Sequence, residues 1–252
     1  AIGTHIPDLT SAILKVIRKY IEEIKLEQHR LERDNDRTPK TPIHSGYMFE
    51  LTVPCTSIHS KKTRNTLIDT AKSFTSTGTI RFLDENGHIH PIREAKPWKN
   101  QPHERTSKAL SNIRKALPRY CDARLVVGGK TTPLSIDPNN GYLGDYPGII
   151  EEALHAVRNR QPLFIAGGFG GAAALLAHLL GISNDIPVAT ESITAIETNR
   201  KYKEAIAEIK ELFDRQLIGL GDDDLRRLTT TQRASELAGL IIKGLATKRN
   251  SK

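Results

Sequence analysis

The chain is 252 residues long, with 38% apolar, 26% charged and 5% aromatic residues and a formal net charge of +8. That length can bury a core in one large or two small α/β domains, and no apolar run approaches the roughly 20 residues of a membrane-spanning helix. Two cysteines, Cys55 and Cys121, offer no disulfide framework, and no basic-then-apolar leader opens the chain, so the expected compartment is the cytoplasm with no membrane partner.

The positive charge invites a nucleic-acid reading, but its distribution argues against one. Lys15, Arg18, Lys19 and Lys25 fall on one segment, Lys61, Lys62 and Arg64 on another, and Lys243, Lys248, Arg249 and Lys252 close the chain. Aromatic residues are too few for a base-stacking platform along a strand of nucleic acid. A small polyanion such as a nucleotide needs far fewer cations.

In chain order, residues 8–31 repeat apolar side chains at i, i+3 and i+4 (Leu9, Ile13, Val16, Ile17, Tyr20, Ile21, Ile24), which predicts an amphipathic helix with Asp8 as its N-cap. Residues 32–46 are polar and carry two prolines, as a linker-like loop would. Tyr47–Val53 reads as a strand and Lys62–Phe74 as a short helix. Thr79–Leu83 and His88–Ile92 flank Asp84-Glu-Asn-Gly87, a hairpin signal.

From Glu104 the pattern becomes strand, glycine turn, helix. Arg105–Leu117 is predicted helical, Ala123–Val127 a strand ending in Gly128-Gly129, and 148–160 a helix with Pro147 at its first turn. Pro162–Ala166 is the next strand, followed by Gly167-Gly-Phe-Gly-Gly171 and the helix Ala172–Leu180. Two more helices, about 199–214 and 231–246, complete the chain. Consecutive βα units predict an α/β fold with a Rossmann-like parallel sheet flanked by helices.

Three segments carry candidate chemistry. Leu125-Val-Val-Gly128-Gly129-Lys130 runs off the carboxyl end of a strand, where loops leave backbone N–H groups for ligands. Glycines let phosphate approach them, and Lys130 adds a point charge; a turn followed by a solvated lysine is the plainer alternative. In Gly141–Ala153, the Pro147-Gly148 step exposes the first N–H groups of a helix, with Glu151 and Glu152 one turn in. A carboxylate there can accept from ribose hydroxyls or stabilise a ribosyl cation, or simply complement the helix dipole. In Gly167-Gly168-Phe169-Gly170-Gly171-Ala-Ala173, Gly168, Gly170 and Ala173 match a loose dinucleotide fingerprint. The acidic residue such a fingerprint needs is missing, because Glu191 follows no clear strand. Cys55 and His59 lack further ligands for zinc, and His88 and His90 read as surface residues, so no metal or cofactor is expected.

Taken in order, Arg105–Leu117, Cys121–Lys130, Gly144-Asp-Tyr-Pro-Gly-Ile-Ile-Glu-Glu-Ala-Leu154, Pro162–Ala172 and Gly219-Leu-Gly-Asp-Asp-Asp-Leu-Arg-Arg-Leu228 resemble the successive motifs of SLOG domains. They are most similar to the prokaryotic branch related to the cytosolic sensor region of TRPM channels. The resemblance is specific from 104 to 246 and faint over 1–100, and it implies one nucleotide-binding domain over 1–252. The superfamily includes LOG-type phosphoribohydrolases and non-catalytic sensors of NAD- or ADP-ribose-derived signals. In the enzymes an Arg on a helix and a Glu after a Pro-Gly-Gly-x-Gly-Thr loop carry catalysis, and by order Arg114 and Glu151 or Glu152 match here. The chain reads Pro-Gly-Ile-Ile-Glu-Glu, without the second Gly or the Gly-Thr. That departure points to the sensor branch, which accompanies anti-phage effectors such as TIR or SIR2 domains.

The resemblance also implies a strand and helix ahead of 8–31, so the chain is expected to lack the fold's first strand and helix. The leading expectation is a homo-oligomeric binding module for a nucleotide-derived small molecule, such as a cyclic ADP-ribose isomer, that regulates a fused or partner effector. Arg114 and Lys130 would engage phosphate, Pro147, Gly148 and Gly167–Gly171 would supply N–H donors, and Glu151 or Glu152 would hold ribose. An N-glycosidic hydrolase using Arg114 and Glu152 is the rival expectation.

Overall fold

A computed structural model of the chain describes residues 49–73, 78–183 and 185–249. The predicted helix at 8–31, the loop at 32–46 and the question of a first strand and helix lie outside the described residues. The chain divides into two compact units, Ala1–Pro102 and His103–Lys252.

In the first unit, β1 (Phe49–Pro54) pairs in parallel with β2 (Gly78–Leu83), in register from Phe49 opposite Gly78 to Pro54 opposite Leu83. A parallel pair needs a crossover, and α1 (Lys61–Ser73) supplies it. β3 (Ile89–Pro91) returns antiparallel to β2, giving a mixed sheet in the order β1-β2-β3. Ile58, Ile80, Phe82, Leu83, Ile92 and Ala95 form its buried interior. The predicted hairpin is present, and Asp84 organises it. Its Oδ1 accepts from the backbone N–H groups of Asn86 and His88, both at 2.9 Å, and Gly87 takes φ = 82°. Its Oδ2 faces His90 Nε2 at 3.1 Å and His88 Nδ1 at 3.5 Å.

The second unit opens with α2 (His103–Ala116), then β4 (Arg124–Val127), α3 (Gly148–Arg158), β5 (Leu163–Ala166) and α4 (Gly171–Leu179). β4 and β5 are parallel, from Arg124 opposite Leu163 to Val127 opposite Ala166, with α3 as the crossover. The α/β architecture with a parallel pair flanked by helices is therefore as the sequence predicts. All four residues of β5 are buried, as expected of a strand covered on both faces. Around it pack Ile150, Leu154 and Val157 of α3 and Leu175 and Leu176 of α4.

The chain continues through α5 (Thr190–Thr198), α6 (Arg200–Leu212), α7 (Asp222–Thr230) and α8 (Ala234–Arg249). α5 and α7 were not foreseen. On α6, Tyr202, Ala205, Ile206 and Ile209 form one buried stripe. Asn199 caps that helix by accepting from the N–H of Tyr202 at 3.1 Å, and its amide donates to the Asp145 carbonyl at 2.6 Å. Lys201 reaches the Asp145 carboxylate at 2.9 Å, so the start of α6 anchors the loop that leads into α3.

Asp84 supplies a test of the hairpin. Burial opposes its ionisation, but the N–H groups of His88 and Asn86 and the ring of His90 outweigh it and hold the carboxyl below its ordinary value. A carboxyl lowered in the folded state stabilises the fold fully above the unfolded pKa of about 4 and loses that contribution as pH falls through the folded value. Urea unfolding at pH 6, 4.5 and 3 should therefore show a steeper loss of stability in the wild type than in Asp84→Asn. Parallel losses in the two proteins would show that the hairpin places no such demand on Asp84.

Candidate functional site

The register of the parallel pair brings Gly128-Gly129, after β4, and Gly167–Gly171, after β5, to the same carboxyl edge. The two turns are joined directly. The N–H of Ala172 donates to Gly129 O at 3.1 Å and that of Ala173 to Gly128 O at 2.8 Å. Two N–H groups of the first turn of α4, directly after the Gly167–Gly171 stretch expected to face phosphate, are thus satisfied by the neighbouring turn. A Cβ at Gly171 would run into the Gly129 carbonyl, so the absence of a side chain there serves this join.

Gly168 is explained in the same way. A Cβ on it would meet the carbonyls of Thr230 and Thr231, and its own carbonyl accepts from Gln232 Nε2 at 3.1 Å. The connection between α7 and α8 therefore sits against the glycine loop. Gly128 and Gly170 differ, having open space where a side chain would stand, and the Phe169 ring beside Gly170 is 43% exposed.

Lys130 is not a free loop cation. Its Nζ donates to Gly141 O at 3.0 Å and closes a loop that is tied across its neck by Tyr142 N–H to Thr132 O at 2.8 Å and Leu134 N–H to Tyr142 O at 3.1 Å.

The start of α3 carries the charged part of the site. The Pro147 carbonyl accepts from the N–H groups of Ile150 and Glu151, at 2.9 and 3.1 Å, so Pro147 stands at the N-cap rather than inside the first turn. Gly148 lies so close to the Arg114 guanidinium that a Cβ there would push the guanidinium from its place. Arg114 Nη1 donates to Glu151 Oε2 at 2.8 Å, and Ser111 Oγ donates to the other oxygen of the same carboxylate. Arg114 Nε lies 3.9 Å from Glu152 Oε1, and Arg124 Nη1 lies 3.8 Å from Glu152 Oε2. These four charges alternate in sign and are largely withdrawn from water, with side-chain exposures of 17% for Arg114, 11% for Glu151, 13% for Glu152 and 5% for Arg124. His155, farther along α3, has its imidazole pushed below the ordinary histidine value by burial, with Glu151 opposing and Arg158 reinforcing the shift.

These parts touch one another. Arg114 rests on Gly148, Gly129 packs against Ile149 and Ala172, and Gly171 packs against Gly129. The structure thus brings Arg114, Glu151 and Glu152 together and sets them beside both glycine turns. Sequence reasoning missed Ser111 and Arg124. Ser111 precedes Arg114 by three positions and so shares its helix face. Arg124 alternates with buried Val126 on β4, and that alternation was the signal for an inward-facing charge. Its Nε has no hydrogen-bond partner among the described residues.

No group of three or more His, Cys, Asp or Glu among the described residues is placed to hold a metal ion. Cys55 is buried, and burial pushes its thiol up to about 11, which keeps it protonated and a poor metal ligand at neutral pH. Among the described residues no helix is long and apolar enough to cross a membrane.

Two substitutions test this description. Glu151→Ala leaves Arg114 against Gly148 without its closest carboxylate and should cost about 3–5 kcal/mol in urea unfolding, part of it regained in Glu151→Ala/Arg114→Met. A cost below about 0.5 kcal/mol would mean that the pair behaves as a solvated surface pair. Gly168→Ala should destabilise by about 1–3 kcal/mol, because backbone rather than a flexible side chain stands in the way.

No curated protein and no solved structure matches the chain. A family model, SLOG cluster2, matches residues 44–252, a span that includes both glycine turns and every residue of the charged network. With that match over most of its length, the chain belongs to the SLOG cluster2 family.

Proposed function

We propose that the chain is a ligand-sensing domain that binds a nucleotide-derived signal of the NAD or ADP-ribose type, such as a cyclic ADP-ribose isomer. The observation that carries this reading is the meeting of the α3 start, with its Arg114–Glu151–Glu152 network, and the two glycine turns at the carboxyl edge of β4 and β5. Ligands of open α/β sheets bind at that edge. In this reading Arg114 engages phosphate by exchanging part of its bonding to Glu151, Lys130 adds charge nearby, and Glu151 or Glu152 accepts from ribose hydroxyls. The whole chain acts as one binding domain, associates with copies of itself in the cytoplasm, and switches a fused or partner effector of the TIR or SIR2 type in anti-phage defence.

Two features favour sensing over hydrolysis. The Gly-Gly-x-Gly spacing occurs at Gly167–Gly170, directly after β5, and the helix that follows opens with Ala172, Ala173 and Ala174 rather than a carboxylate. Glu151 and Glu152 are already engaged by Ser111, Arg114 and Arg124, which restrains them from stabilising charge on a ribosyl carbon.

Binding only to the folded state raises Tm by mass action, so ADP-ribose, cyclic ADP-ribose and NAD should be screened by thermal shift. At least one should raise Tm, and Arg114→Ala should weaken it by about 1.5–3 kcal/mol, the range for charge-assisted hydrogen bonds. Incubation with AMP or NAD should release no base. Base release that disappears in Glu152→Gln would make the chain a LOG-type phosphoribohydrolase instead.

A further inference from the structure

On the nucleotide-binding reading above, we infer that Phe169 is the platform on which the ligand's heteroaromatic base stacks, so that the site selects base-bearing nucleotides over bare sugar phosphates. Phe164 and Phe82 are buried, at 1% and 7% exposure, whereas Phe169 stands 43% exposed. Large apolar rings normally contribute by burial, and this one is withheld from the core at the edge where the ligand is expected.

The ring is also held by a fixed loop. Gly167–Phe169 forms a 3-10 turn closed by the N–H of Gly170 donating to Gly167 O at 2.8 Å. Gly168 is locked beneath Thr230 and Thr231 and bonded to Gln232, and Gly171 is locked against Gly129. The backbone on both sides of Phe169 is therefore set by packing, and the ring needs no ligand to order its loop. A binding surface arranged in advance loses little freedom when its ligand arrives.

The same two turns offer room beside bare backbone. Gly170, next in sequence to Phe169, and Gly128, at the adjoining turn, both have open space where a side chain would stand. An exposed aromatic residue followed directly by an open glycine fits a planar base, whose ring stacks while its edge can reach backbone polar groups. Aromatic stacking of this kind tolerates any base, so Phe169 selects for the presence of a base and leaves its identity to other contacts.

The test compares AMP with ribose 5-phosphate by calorimetry on the full chain, in the wild type, Phe169→Ala and Phe169→Trp. The wild type should bind AMP on the order of 10- to 100-fold more tightly than ribose 5-phosphate. Phe169→Ala should erase that difference by weakening AMP alone, with apo Tm unchanged, and Phe169→Trp should keep it. An equal loss for both compounds, or no loss for either, overturns the inference. So does a change of oligomeric state in Phe169→Ala without loss of base selectivity, which would make the ring an interface residue. If the wild type prefers AMP yet Phe169→Ala leaves that preference intact, the nucleotide reading stands and the Phe169 assignment alone falls. If the wild type binds neither AMP nor ribose 5-phosphate, the Phe169 inference falls, and the nucleotide reading falls with it only if ADP-ribose, cyclic ADP-ribose and NAD also leave Tm unchanged.

Discussion

Two backbone hydrogen bonds, from the N–H groups of Ala172 and Ala173 to the carbonyls of Gly129 and Gly128, fix how the two βα turns of the second unit meet. Buried backbone groups must find partners, and here the first turn of α4 finds them in the turn after β4. Because Gly129 also packs on Ile149, the same join sets the start of α3, and with it the position of Gly148 beneath Arg114. The glycines in this region are thus mostly a consequence of the chain packing on itself. Within the two turns, Gly128 and Gly170 keep their faces open.

The charged network follows from that close approach. Two arginines and two glutamates, mostly removed from water, are tolerable only because they alternate. No member can change partner without leaving a neighbour exposed to a poorly compensated charge. On the proposed reading, a phosphate at Arg114 would compensate the guanidinium as it turns from Glu151, and that carboxylate would keep the hydrogen bond from Ser111.

Much of this was legible in the residues, for identifiable reasons. The βα alternation of the second unit was readable because β4 and β5 are short apolar runs ending in glycine pairs, and because α3 and α6 carry regular apolar stripes. α5 was hidden by Thr190, Ile193, Thr194, Ile196 and Thr198, whose branched side chains weaken a helical pattern, and α7 by its opening run of Asp222, Asp223 and Asp224. The parallel pairing of β1 with β2 had its signature in the strand, helix and strand order of 47–53, 62–74 and 79–83, but the crossover helix α1 buries none of its residues, so no apolar stripe marked its packing. At the site, residue types marked Glu151, Glu152 and the glycines, and the resemblance to SLOG motifs marked Arg114. What they could not reveal was occupancy: that Thr230 and Thr231 fill the space at Gly168, or that Lys130 is bonded to Gly141.

The loop that Lys130 closes has a further consequence for length variation. Its neck is closed by the bonds among Thr132, Leu134 and Tyr142, and its tip adds further ones: the N–H groups of Ile136 and Asp137 donate to Pro133 O, that of Gly141 donates to Asp137 O, and Asp137 Oδ1 accepts from the N–H groups of Asn139 and Asn140. Residues added near the tip would interrupt those turn bonds while leaving the neck bonds in place, and would add the entropy of closing a longer loop whose ends are already held. That entropy grows slowly, by about 0.6 kcal/mol for each doubling of loop length. Related chains can therefore differ widely in the number of residues between Pro133 and Tyr142 while Gly128, Gly129 and the start of α3 keep their places.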